Sequence, residues 1–202
     1  PTLVIDTFQH DTNFYKQSAA GTLEVDLDEV LIGTRSLRVV SDADGQQVNV
    51  RAEGLGPLDL SDVFLRLRLR LEGRSHLARL LLYVSGDGFE TFDIYPLLSP
   101  TQAPGERLID DGEWSTLTVA LGTPMAAPQV DLTHVTDLQV SVVDDGTAPV
   151  SVWLAGLDAM QLPARGVVTV MFDDARSGVY ELGLPQAQRF GVRGSVAVIT
   201  GV

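Results

Sequence analysis

Val63-Phe-Leu-Arg-Leu-Arg-Leu-Arg-Leu71 alternates apolar and charged residues without a break. A period of two is that of a β-strand with one face buried. Leu65, Leu67, Leu69 and Leu71 fall on one side, and Arg66, Arg68 and Arg70 on the other. Shorter runs of the same kind recur on both sides of it, punctuated by Gly, Asp and Pro. They predict strands over 22–28, 36–41, 47–52, 63–72, 78–85, 91–95, 114–121, 138–143 and 150–157. Strands of this number and spacing predict a mainly β domain, a jelly-roll β-sandwich, over residues 1–160. Asp44-Gly45 reads as a hairpin turn, and 96–105 and 122–128 read as loops. No helix of ordinary length is predicted before residue 160.

The pattern changes after Leu162-Pro163-Ala164-Arg165. Val167 to Phe172 form an apolar, non-alternating run that ends in Asp173 and Asp174. A helix is predicted over about 177–189, with Ser177 as its cap and Gly191 as its stop, and a second strand over 194–199. Strand, helix and strand at this spacing read as a βαβ unit with a parallel strand pair.

Composition bounds the function. The formal net charge is −13 over 202 residues, with a pI near 4.4. Such a chain repels phosphate backbones, which argues against general nucleic-acid binding. There are no cysteines, so disulfides, thiolate metal sites and cysteine nucleophiles are excluded. No apolar run approaches the ~20 residues needed to span a bilayer. The first residue is Pro1 rather than Met, which reads as a processed or trimmed end.

Val168-Thr-Val-Met-Phe-Asp-Asp174, the helix after it, and Phe190-Gly-Val-Arg-Gly-Ser-Val-Ala-Val-Ile199 resemble the start of the polysaccharide deacetylase domain of carbohydrate esterase family 4. The likeness covers about the last 37 residues, with Met171 where the family has Thr and Ala175 where it has Gly. It implies that residues 161–202 are the truncated start of a (β/α) deacetylase barrel. Asp173 would be the general base that activates water. Asp174 would be one ligand of a divalent metal, zinc, cobalt or nickel. Amide hydrolysis needs both a deprotonated water and a Lewis acid on the carbonyl oxygen. The family's metal also takes two His spaced four apart. His10, His76 and His134 all precede the aspartates and none is so paired, so the implied site is incomplete.

The β part is similar, more loosely, to galactose-binding-like jelly rolls, a fold shared by many carbohydrate-binding modules. Gly33-Thr-Arg-Ser-Leu-Arg-Val39, Gly112-Glu-Trp-Ser-Thr-Leu-Thr-Val119 and Val152-Trp-Leu-Ala-Gly-Leu-Asp158 carry that likeness. It implies a polysaccharide partner, an extracellular or cell-surface setting, and a structural calcium. Asp6 and Asp158 are the expected calcium ligands, with backbone carbonyls near Gly33 and Ser36. Tyr83, Phe89, Phe92 and Tyr95 flank the Gly86-Asp87-Gly88 turn and form the expected aromatic cluster for a glycan. Trp114 and Trp153 read either as sugar platforms or as packing residues. Arg66, Arg68 and Arg70 read either as a basic stripe for acidic glycan or phosphate, or as an exposed sheet face. Glu24, Asp26 and Asp28 give an acidic stripe of matching period, which would neutralise the basic one if the two strands were neighbours. The working part is thus either the N-terminal section of a deacetylase with an accessory sandwich, a glycan-binding module, or a structural and assembly sandwich.

Overall fold

The computed structural model describes residues 2–98, 109–162, 170–172, 181, 183–189 and 194–196. The chain divides into two compact units, Pro1–Leu162 and Pro163–Val202. Asp173, Asp174, Ser177, Gly191 and most of the predicted loop 96–105 lie outside the described residues.

The first unit is two antiparallel sheets around one core. One sheet runs β3 (Thr22–Asp26), β4 (Ser36–Val40), β11 (Ser151–Gln161), β6 (Val63–Glu72) and β9 (Trp114–Ala120). On this sheet β1 (Thr2–Asp6) shares an edge of β11 with β4, facing Leu157 to Met160 while β4 faces Ser151 to Leu154. The other sheet runs β2 (Tyr15–Lys16), β5 (Gln47–Ala52), β10 (Asp137–Asp144), β7 (Leu77–Ser85) and β8 (Asp93–Leu98). Among the described residues of this unit, only β3–β4 and β7–β8 are consecutive strands that pair; the other consecutive strands lie in different sheets.

Alternation builds the core. Leu65, Leu67, Leu69 and Leu71 of β6 are buried against Val48, Val50, Leu80, Leu82, Leu138, Val140 and Val142 of the facing sheet. Each such leucine contributes about 2 kcal/mol relative to exposure. The arginines between them face outward. All nine predicted strands form, with ends moved by up to four residues. The short strands β1 and β2 were not predicted from the sequence.

Three expectations change. Asp44-Gly45 is not a hairpin turn, because it joins β4 in one sheet to β5 in the other. Its local chemistry is still that of a turn, with Gly45 at φ 74° and its N–H held by the Asp144 carboxylate at 2.8 Å. Pro96 lies within β8 rather than in a loop. A proline is tolerated there because β8 is an edge strand, and the register shifts where Pro96 faces Leu81. The acidic and basic stripes are not neighbours, since β4 and β11 separate β3 from β6.

In the second unit, β12 (Val170–Phe172) and β13 (Gly194–Val196) pair in parallel, with α1 (Leu184–Arg189) between them in sequence. A parallel pair needs such a crossover. The parallel pairing agrees with that part of the βαβ reading; residues 173–180 and 190–193, which join the strands to α1, lie outside the described residues.

Candidate functional site

The outer face of the second sheet carries a continuous polar and aromatic surface. The parity that buries Val48, Val50 and Ala52 turns Gln47, Asn49 and Arg51 outward. The same parity on β10 and β7 turns out Gln139, Ser141, Leu81 and Tyr83. One row therefore crosses all five strands, Tyr15–Arg51–Gln139–Tyr83–Ile94.

Hydrogen bonds lock this surface. Arg51 Nε donates to Gln139 Oε1 at 2.9 Å, and Gln139 Nε2 donates to Ser141 Oγ at 3.0 Å. Ser141 Oγ donates to Asn49 Oδ1 at 2.8 Å, which also accepts from Gln47 Nε2 at 2.7 Å. Gln47 Nε2 reaches the Tyr83 hydroxyl at 3.2 Å. Gln139 and Ser141 face outward yet are 3% and 0% exposed, because side chains from both flanking strands bond over β10. A buried amide network is stable only when its members are paired, and these are.

Aromatic rings border the network. The Tyr83 and Phe92 rings lie 5.5 Å apart and tilted. The Arg51 guanidinium sits 3.9 Å from the Phe89 ring centroid and pairs with Glu53 at 3.1 Å. Phe89 adopts φ 67°, a left-handed conformation uncommon for a bulky side chain. Its N–H is held by Ser85 Oγ at 2.9 Å. Asp137, itself buried, accepts from the N–H groups of Gly54 and Gly88 and so ties together two loops at one end of the face. Partial desolvation, then the hydrogen bond to Glu53, raises the Tyr15 pKa above its ordinary value.

The four expected aromatics thus separate. Tyr83 and Phe92 stand together on the open face, and Phe89 lies at its rim under Arg51. Tyr95 points into the core, 1% exposed, and its hydroxyl donates to Leu121 O at 2.9 Å. Desolvation pushes its pKa up to about 12. Gln47, Asn49, Arg51, Gln139 and Ser141 were not singled out from the sequence. Their signal was the amide-rich parity of 47–51 and 139–141, opposite to the apolar one.

The outer face of the first sheet is closed by its own charges. Asp158 accepts from Arg66 Nε and Arg68 Nη1, each at 2.6 Å. Gly156 faces Arg68 across the strands, and a Cβ there would lie 3.0 Å from Arg68 Nη1. Burial opposes the charge on Asp158, but the two arginines outweigh it and lower its pKa. Arg70 donates to Glu72 at 2.7 Å and to Gly112 O at 2.8 Å. Trp153 is buried between Arg38 and Arg70, whose guanidinium carbons lie 4.9 and 4.7 Å from its ring. Its indole N–H donates to Asp26 at 2.7 Å. The basic stripe is therefore internally paired, and Trp153 is a packing residue. Trp114 is half-buried on the edge strand, opposite Arg70.

Among the described residues no three His, Cys, Asp or Glu side chains converge as a metal site would require. Asp6 accepts from the N–H of Phe8 at 2.5 Å, from Thr12 Oγ1 at 3.0 Å and from the N–H of Asn13 at 3.2 Å. No helix among the described residues is long and apolar enough to cross a membrane.

No protein-family profile and no curated protein matches this chain, so the deacetylase resemblance finds no support there. Solved structures do match. A carbohydrate-binding module of the β-sandwich superfamily, described for its promiscuous specificity, superposes with a TM-score of 0.54 at 15% identity, over 77% of this chain and 60% of that one. An exo-β-agarase gives 0.56 at 10% identity, over 81% of this chain and 25% of that one. The chain thus spans less than two thirds of either. A family 30 carbohydrate-binding module of a cellulosomal cellulase from Clostridium thermocellum gives 0.56 at 15% identity, over 80% and 98%. Likeness at such identity shows the fold alone, a mainly β sandwich of two antiparallel sheets like those of these neighbours.

Proposed function

We propose that the first unit is a non-catalytic glycan-binding module and that its site is the open face of the second sheet. The observation that carries this is the bonded row of Gln47, Asn49, Arg51, Gln139 and Ser141 beside the Tyr83–Phe92 pair. Gln139 and Ser141 are buried and hold the row in place, while the partly exposed amides of Gln47 and Asn49 can exchange hydrogen bonds with sugar hydroxyls, and an aromatic ring offers a flat apolar surface to a pyranose face. The sandwich neighbours support the reading, because carbohydrate-binding modules are among them. A polysaccharide partner and an extracellular or cell-surface setting belong to the same proposal. Affinity electrophoresis of the full chain against a panel of soluble polysaccharides tests it. Retardation by at least one glycan, lost in Tyr83→Ala, is expected; free migration on every gel would reject it.

A second reading rests on the parallel β12–β13 pair and the helix between them. That arrangement is the one the deacetylase resemblance requires, with Asp173 as base and Asp174 as a ligand of zinc, cobalt or nickel. Because His10, His76 and His134 do not supply the family's pair of His ligands, it predicts metal-dependent acetate release from an acetylated glycan only for a protein that carries that pair beyond Val202, abolished by Asp173→Asn and by Asp174→Asn. Release that survives both substitutions would remove these residues from the chemistry.

A further inference from the structure

The segment after β1 meets the loop before β4 over one side chain, Gln9. Its Nε2 donates to Arg35 O at 2.8 Å, Ile32 O at 3.2 Å and Thr7 O at 3.3 Å. Its Oε1 accepts from the Thr34 N–H at 3.1 Å and from Thr34 Oγ1 at 3.4 Å. The Arg35 guanidinium in turn donates to Gln9 O. Gly33 makes room for the amide. It has φ +80°, and a Cβ there would lie 2.5 Å from Gln9 Oε1 and 2.7 Å from Gln9 Cδ.

Backbone carbonyls converging on one point are the surroundings a hard cation takes, and this is where the jelly-roll likeness placed a calcium. The donor set does not fit one. Calcium needs 6–8 oxygens, normally with carboxylates among them. Asp158 is held between Arg66 and Arg68, and Asp6 closes its own turn. Ser36 Oγ donates to Glu29 O at 2.7 Å. The carbonyls themselves already face an N–H2 group, and a guanidinium lies beside them, so an added divalent cation would meet two sets of donor hydrogens.

We infer that this junction is a metal-independent clasp, in which the Gln9 amide cross-links the segment after β1 to the 32–35 loop in the place where a calcium would otherwise do so. The inference stands on the clasp geometry and is independent of glycan binding.

The test is calcium titration calorimetry and thermal melting of the full chain after dialysis against chelator. No saturable calcium heat is expected, and Tm should be the same in chelator and in millimolar calcium. Gln9→Ala should lower Tm by about 5 °C, equally in both solutions. Gln9→Glu keeps the shape but turns an oxygen toward the carbonyls, so it should melt lower in chelator and recover when calcium is added. Saturable calcium binding by the unaltered protein, a calcium-dependent rise in its Tm, or a Gln9→Ala protein with unchanged Tm would each overturn the inference. If Gln9→Ala does not fold, the calorimetry of the unaltered chain and the Gln9→Glu melts decide it.

Discussion

Gln47 and Tyr83 stand on the two strands that flank β10, and their side chains meet across it at 3.2 Å. That bond holds the tyrosine over the sheet face, with Phe92 5.5 Å from its ring. A side chain held in this way gives up little conformational entropy on meeting a ligand.

Replacing Tyr83 by alanine removes the ring and one hydrogen bond from the proposed site. The expected loss is about 2 kcal/mol of binding, roughly 30-fold in Kd. Tyr83→Phe keeps the ring and should lose less. Calorimetry with the best glycan of the panel measures both, and circular dichroism should show the sandwich intact. Equal affinity for Tyr83→Ala would place the site elsewhere.

Tyr95 gives the opposite result. It is buried in the core with its hydroxyl bonded to Leu121 O. Tyr95→Ala should destabilise the fold by about 3–5 kcal/mol, read as a lower midpoint in urea. A folded, stable Tyr95→Ala protein that had lost only glycan binding would contradict its placement.

Asp158 makes stability depend on acid. Its folded pKa lies below its unfolded value, so the ionised form is the one that folding favours. The contribution is present above the unfolded value, about pH 4, and is lost as pH falls through the folded value. Asp144 is lowered as well: burial opposes its charge, but hydrogen bonds from Ser41 and from the N–H groups of Gly146, Gly45 and Ala43 outweigh it. It adds to the same window. Asp158→Asn should cost about 3 kcal/mol near neutral pH, because Arg66 and Arg68 lose their shared partner. It should also flatten the acid limb of a urea-midpoint profile taken between pH 2 and 7. An unchanged acid limb would show that Asp158 does not set it.

Trp153 is expected to report on its own cage. Trp153→Phe keeps a ring between Arg38 and Arg70 but leaves Asp26 without the indole N–H. A hydrogen bond to a charged group contributes about 1.5–3 kcal/mol, so a drop of that size in unfolding free energy is expected. Glycan affinity should not change, because Trp153 lies on the other sheet. A Trp153→Phe protein with weakened glycan binding would move the proposed site to the first sheet.

The sequence by itself determined nine of the eleven strands of the first unit, apart from their ends, and the buried side of those that alternate. Burial follows from a period of two, and Val63 to Leu71 displays it in full. The same parity already separates Tyr83, out of phase with Leu80, Leu82 and Val84, from the core. What it could not supply was the order of strands in space. β3 and β6 have matching opposite stripes, yet β4 and β11 lie between them, so Asp158 and Glu72 answer the arginines instead. Neighbours in a sheet are chosen by connections that cross between sheets, and the energy of those choices resides in long-range packing that no local run records. Gln47 and Tyr83 are 36 residues apart, and Arg51 and Gln139 are 88 apart. Only the tertiary structure brings their side chains to one face, and the same is true of Gln9 and the carbonyl of Arg35.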